Sequence, residues 1–168
     1  SCDYKQEGVS MDLPVFDRQA LEQSLEPQTV ASALGIDGPV IELGQTPMNR
    51  TFRLPDEQQV RDCQPRLEII GDWHPVGVLV TAHSERLGVD MVSRFFAPRV
   101  GIDEDPVTGS AHCVLAPYWA DELDKQKLVG EQLSSRGGRL ELTMLEDQRV
   151  RLFGKAVVVM QGELVRLP

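Results

Sequence analysis

Glu104-Asp105-Pro106-Val107-Thr108-Gly109-Ser110-Ala111-His112-Cys113 runs directly into Val114-Leu115-Ala116-Pro117-Tyr118-Trp119. An acidic pair, a proline and a Thr-Gly-Ser turn thus lead into a helical pattern. The spacing predicts a helix over 108–123, with Asp105 as a capping side chain and Pro106 in the first turn, where a missing N–H costs nothing. Gly109 lets a ligand approach the backbone, and Ser110 sets a hydroxyl beside amides left free at a helix start. Free amides and the positive end of the helix dipole make an anion pocket suited to a carboxylate or phosphate. Asp105 then stands at its rim as a proton-transfer group. On spacing alone, an ordinary capped helix after a turn is an equal reading.

Ala111, Val114, Leu115, Tyr118, Trp119 and Leu123 recur at helical spacing, as a buried face requires. The opposite side carries Cys113, Ala116, Pro117 and Ala120, with no formal charge before Asp121. A helix apolar almost all round is surrounded by protein. Pro117 removes an N–H and frees the Cys113 carbonyl, so a kink is expected there.

Elsewhere the chain reads as many strands and few helices. Val9–Leu13, Val40–Leu43, Thr51–Leu54, Leu67–Gly71, Val76–Ala82 and Met91–Phe96 are strand candidates before the helix. Glu131–Ser134, Leu140–Met144, Arg149–Phe153 and Ala156–Met160 follow it. Short helices are expected from Asp17 to Leu25, around Thr29–Leu34 between Pro27 and Gly35, and from Pro55-Asp56 toward Cys63. Little strict βαβ alternation points to an α+β fold: a mixed, largely antiparallel curved sheet wrapped around one central helix.

The 168 residues suffice for one domain with one good core, and 41% hydrophobic with 26% charged residues is ordinary for a globular protein. A net charge of −9 argues against nucleic acid or an anionic membrane as partner. Arg136 and Arg139 beside Gly137-Gly138 form no basic stripe. No apolar run approaches the roughly 20 residues that span a bilayer. Cys2, Cys63 and Cys113 lack metal spacing and read as free thiols of a cytoplasmic protein.

Three stretches carry a family resemblance. Arg94-Phe95-Phe96-Ala97-Pro98-Arg99-Val100-Gly101-Ile102, with the Glu104–His112 segment after it, resembles the signature of the PhzF-like phenazine-biosynthesis family. So do Gln132-Leu133-Ser134-Ser135-Arg136-Gly137-Gly138 and the run from Val150 to Leu164. The resemblance is specific from about Arg94 to Leu164 and looser across 15–90. It implies a diaminopimelate-epimerase-like architecture of two similar domains with the active site between them. It also implies a cofactor-independent isomerase, in which one group removes a C–H proton near a carboxylate and another returns it elsewhere. On matched positions, Asp105 is the catalytic candidate, and Thr108, Gly109, Ser110 and Ala111 hold the substrate. The implied ligand is a small carboxylate-bearing metabolite, with no metal and no cofactor.

The family's catalytic Glu, in a Gly-Asn-Pro segment, and its Gly-His-Ala-Thr turn have no counterpart among these residues. The expectation is therefore that 1–14 resembles the strand closing a first domain and 15–168 the whole second domain. Such a half-site needs a complementary N-terminal domain or a homodimer. A non-catalytic anion-binding or dimerising module is the alternative.

Other candidates read more plainly. His112 is expected as a core histidine bonded to backbone, and Cys113 as a small buried residue. His74 and His83 are expected on the surface or in loops. Asp103-Glu104-Asp105 reads as a solvated rim, and Gly137-Gly138 as a turn or bulge, because no helix follows.

Overall fold

Side-chain alternation in one hairpin divides the protein into two apolar layers. In β5 (Val78–His83) and β6 (Met91–Ala97), Leu79, Met91 and Phe95 face one cluster, while Val78, Val80, Val92 and Phe96 face another. Both faces are covered, which is why these strands read as near-continuous apolar runs. The computed structural model describes residues 2–163, apart from 6, 7, 20, 22 and 75.

The remaining strands are β1 (Cys2–Lys5), β2 (Gly8–Pro14), β3 (Ile41–Gln45), β4 (Arg50–Arg53), β7 (Ile102–Asp105), β8 (Lys127–Gln132), β9 (Gly138–Leu145) and β10 (Arg149–Gly154). They form one sheet in the order β1-β2-β10-β9-β8-β6-β5-β4-β3, with β7 beside β6. Its pairs are antiparallel except β4·β5 and β6·β8. A parallel pair needs a long crossover. The first pair is joined through helices α2 (Glu57–Asp62) and α3 (Leu67–Ile70), the second through α4 (Gly109–Leu123).

Helix α4 is the expected central helix, and it runs unbroken through Pro117. Leu115 is fully buried and Trp119 is 1% exposed. Leu13, Val150, Leu152, Leu140, Leu142, Leu128, Phe95, Leu79 and Leu43 pack into its cluster. Those residues come from β2, β10, β9, β8, β6, β5 and β3, so the sheet wraps round the helix as anticipated. Trp119 Nε1 donates to Thr81 Oγ1 at 3.0 Å, satisfying the one polar atom of that ring in the core.

The second layer covers the opposite face. Helix α1 (Pro27–Leu34) begins at its proline and ends on Gly35, whose φ of 66° supplies the left-handed turn. Asp56 caps α2 by accepting from Gln59 N at 2.8 Å. The strand expected at Leu67–Gly71 is instead α3, because Ile70 and Gly71 N–H groups bond back to Arg66 and Leu67. A four-residue apolar run fits either period, and burial of Ile70 against this layer decides it.

Three further expectations are corrected. No helix forms between Asp17 and Leu25 among the described residues. That backbone is held from outside: Gln19 pairs with Gln45, Phe16 N donates to Cys113 O, and the buried Arg50–Glu42 ion pair bonds Gln23 O and Leu25 N. Ala156–Met160 is not a strand, and Val157 and Val159 are 84% and 91% exposed, since no described edge pairs with them. Strand β8 ends at Gln132 rather than reaching Ser134, whose hydroxyl turns to the Pro106 carbonyl at 2.8 Å. Strands β1 and β7 are additions to the sequence reading.

Candidate active site at the start of helix α4

Asp105 closes β7 and pairs with Phe95 of β6. The neighbouring Glu104 is no solvated rim. It binds Arg94 through two bonds, Nε to Oε1 at 2.7 Å and Nη2 to Oε2 at 3.0 Å, and Arg94 Nη1 reaches Cys63 O at 2.6 Å. This pair ties β7 to β6 and to the end of α2, and so fixes the approach to Asp105. Paired bonds of this kind give geometric specificity as well as energy.

Asp105 does not cap the helix, and Pro106 lies outside its first turn. The N-cap is Thr108, and Thr108 makes no side-chain cap bond. Its hydroxyl turns away and donates to Asp105 Oδ2 at 2.5 Å. Gln132, at the end of β8, completes the arrangement. Its Oε1 accepts from Thr108 N at 2.8 Å, while Nε2 donates to Asp105 O at 2.6 Å and to Thr108 Oγ1 at 3.1 Å. His112 Nδ1 donates to Thr108 O at 2.8 Å from a fully buried ring. Burial pushes the His112 pKa down and keeps it neutral, with Nε2 unpaired among the described residues. It is the core histidine expected.

With Thr108 turned aside, the N-cap side chain makes no bond to the first-turn amides of α4, Gly109 to Ala111. A Cβ added at Gly109 would meet nothing closer than Leu152 Cδ2 at 3.9 Å and Leu13 Cδ1 at 4.0 Å. The protein's own packing does not demand glycine there. Gly138 differs: a Cβ would lie 2.2 Å from Val107 Cγ2, so its absence lets the Ser134–Gly138 turn seat against the Asp105–Thr108 turn.

Other hollows open on the surface, one of them beside Gln132 and Ser134. Another of about 590 Å³ is lined by Pro55, Asp56, Glu57, His83, Glu85 and Arg86, but Glu57 and Arg86 already bond each other. His83 is exposed, whereas His74 is buried, a correction: Thr46 O and the amides of Val76 and Gly77 hold its two ring nitrogens. Burial raises the Cys113 thiol pKa to about 11 and that of Cys63 to about 12, so both stay protonated. Among the described residues no cluster of His, Cys, Asp or Glu is placed to hold a metal ion.

A family model described as phenazine biosynthesis-like protein, PhzC-PhzF, matches residues 2–162. The chain belongs to this family. An uncharacterized isomerase of Pseudomonas aeruginosa is 42% identical over 158 residues, covering 94% of this chain and 58% of that protein. An uncharacterized isomerase of Halalkalibacterium halodurans is 35% identical over 159 residues, covering 95% and 58%. The crystal structure of a PhzF-family protein from Enterococcus faecalis superposes with a TM-score of 0.77 at 33% identity, over 98% of this chain and 60% of that one. The chain thus spans about three fifths of the length of these three proteins. Its fold is theirs, the diaminopimelate-epimerase-like fold anticipated from sequence.

The fold brings Asp105, Thr108, Gly109, Ser110 and Ala111 together at one helix start. Gln132 and Arg94 were missed as parts of the site, although both stand in the family stretches. Their place in those stretches was the available signal, because each stands in a quoted family motif.

Proposed function

We propose that this chain supplies the carboxylate-holding half of a cofactor-independent isomerase site. The free amides of Gly109 to Ala111 and the Ser110 hydroxyl hold a substrate carboxylate. Asp105 handles the proton at its edge, and Thr108 orients Asp105. One observation carries the reading: the N-cap hydroxyl serves the carboxylate of Asp105 and leaves the first turn of α4 open. That two relatives are named isomerases supports the reaction class. The family label does not give the substrate, which we describe only as a small carboxylate-bearing metabolite.

A covering partner completes the site in this proposal, either a complementary domain or a second copy of the chain. Gly154 pairs with Leu140 and Gln132 with Gly138, at the start of the same strand, so the uncovered Val157–Met160 run leaves the sheet beside the site. Exposed apolar runs of this kind mark interaction surfaces. We place the protein in the cytoplasm on its buried free thiols. Among the described residues no helix is long and apolar enough to cross a membrane.

Acetate titration followed at the Gly109, Ser110 and Ala111 amide resonances tests the half-site. Shifts confined to that turn are expected, with Ser110→Ala weakening binding by ~1 kcal/mol. No shift at millimolar acetate would remove the reading.

A further inference from the structure

We propose that Gln132 is the positioning residue of this site: it directs the Thr108 hydroxyl proton onto Asp105 and thereby keeps the first turn of α4 uncapped. The inference rests on the half-site reading above and names what holds that site in its open form.

Gln132 is 1% exposed, and its amide is used completely. The two Nε2 protons go to Asp105 O and Thr108 Oγ1, and Oε1 accepts from Thr108 N. The amide has one tenable orientation. Rotated by half a turn, it would set oxygen against the Asp105 carbonyl and N–H against the Thr108 N–H, two repulsive contacts in a buried place.

That fixed orientation determines where the Thr108 proton goes. A hydroxyl has one proton to give. Thr108 Oγ1 already accepts from Gln132, so its proton points along the remaining contact, to Asp105 Oδ2 at 2.5 Å. Asp105 is held by one oxygen, and among the described residues nothing bonds Oδ1, which is left for a ligand. A threonine at an N-cap ordinarily accepts from an amide of the first helical turn. Here the rotamer that accepts from Gln132 and donates to Asp105 holds Oγ1 away from those amides. Without that bond the hydroxyl is free to rotate onto the α4 amides, and the helix closes its own anion site. Gln132 therefore sets both the aim of Asp105 and the vacancy beside it.

The test uses the full chain labelled with ¹³C and ¹⁵N. Gln132→Glu keeps the shape and the acceptor for Thr108 N but offers Thr108 an acceptor in place of a donor, so the hydroxyl proton turns toward residue 132. The wild type is expected to show a slowly exchanging Thr108 hydroxyl proton with a nuclear Overhauser contact to Asp105. In Gln132→Glu that contact is lost, the Asp105 carboxyl carbon shifts, and acetate binds about fivefold more weakly, as for one hydrogen bond. Thr108→Val, which preserves shape if the Glu variant fails to fold, gives the same carbon shift. Thr108→Ser restores the wild-type position. An Asp105 carboxyl carbon unmoved in both Gln132→Glu and Thr108→Val overturns the proposal. If that carbon moves as expected while acetate shifts no wild-type amide, the positioning role stands and the anion site falls. If acetate binds all variants equally and the carbon stays still, the anion site stands and the positioning role falls.

Discussion

The backbone N–H of Phe16 donates to the carbonyl of Cys113 at 3.2 Å, the carbonyl that Pro117 leaves without its helical partner. A proline inside a buried helix creates an unsatisfied acceptor, and an unpaired buried carbonyl costs ~1–3 kcal/mol. Here a segment without secondary structure supplies the donor. The defect in α4 thus becomes the anchor of the chain around Phe16.

Hydrogen exchange is expected to report that anchor. The Phe16 amide should exchange as slowly as amides of the core strands, although it lies outside every helix and strand. Pro117→Ala restores a competing helical N–H and should speed Phe16 exchange while α4 amides slow. Rapid Phe16 exchange in the wild type would contradict the anchoring role.

Gly109→Ala should separate stability from binding. Added at this helix position, the methyl meets only ordinary contacts. Urea unfolding should therefore be unchanged or shifted up by no more than about 1 kcal/mol, since alanine is the better helix former. Acetate binding at the first turn should drop sharply, because the methyl stands where a ligand approaches the backbone. Binding that survives the substitution would place the anion elsewhere.

Stability should fall as pH drops below about 6.5 through buried histidine. Burial lowers the pKa of both His112 and His74 from 6.5, so the unfolded chain takes up their protons first as pH falls. Their contribution is complete above 6.5 and is lost on acidification toward the folded values, by up to ~1.4 kcal/mol per pH unit for each group. Glu57 and Glu131 are held below 4.5 by hydrogen bonds from Ser84, Arg86, Arg61 and Arg139 that outweigh desolvation, so their losses come at lower pH. Urea unfolding at about pH 7.5 and about pH 5.5 isolates the histidines. His112→Gln should lose less stability across that interval than the wild type, and an equal loss would refute the assignment.

Association is expected at the end of the sheet that carries Asp105 and the Val157–Met160 run. Light scattering at micromolar concentration should show a dimer, and a charge introduced at Val158 should dissociate it. In deuterated buffer the isolated chain should incorporate no deuterium into unsaturated or amino acids. Incorporation that disappears in Asp105→Asn would show instead that this chain catalyses alone.

Contiguity made most of the site legible. Asp105, Thr108, Gly109 and Ser110 are neighbours in sequence, and α4 carries its period through nine buried residues. Gln132 acquires its role only when the crossover from β6 through α4 sets β8 beside β6, which no local pattern reveals. The same holds for Arg94, whose partners lie in β7 and at the end of α2. The segment from Asp17 to Leu25 carries helical signals that distant partners overrule, above all the Arg50–Glu42 pair. Ala156–Met160 has the composition of a strand, but a strand also needs an edge.

The pairing of β2 with β10 has a kinetic consequence. Asp12 and Arg151, which form an ion pair across these strands, are separated by 139 positions in the chain. The chain between these strands must be made and loosely assembled before Leu13 meets the surface it covers on α4. Contacts of such long sequence separation slow folding, because the entropy of closing the loop is lost before the contact returns any energy. During synthesis, β2 emerges before β10 and must wait for it. The β9–β10 hairpin can form locally in microseconds, whereas sealing of the helix by β2 is expected to come late.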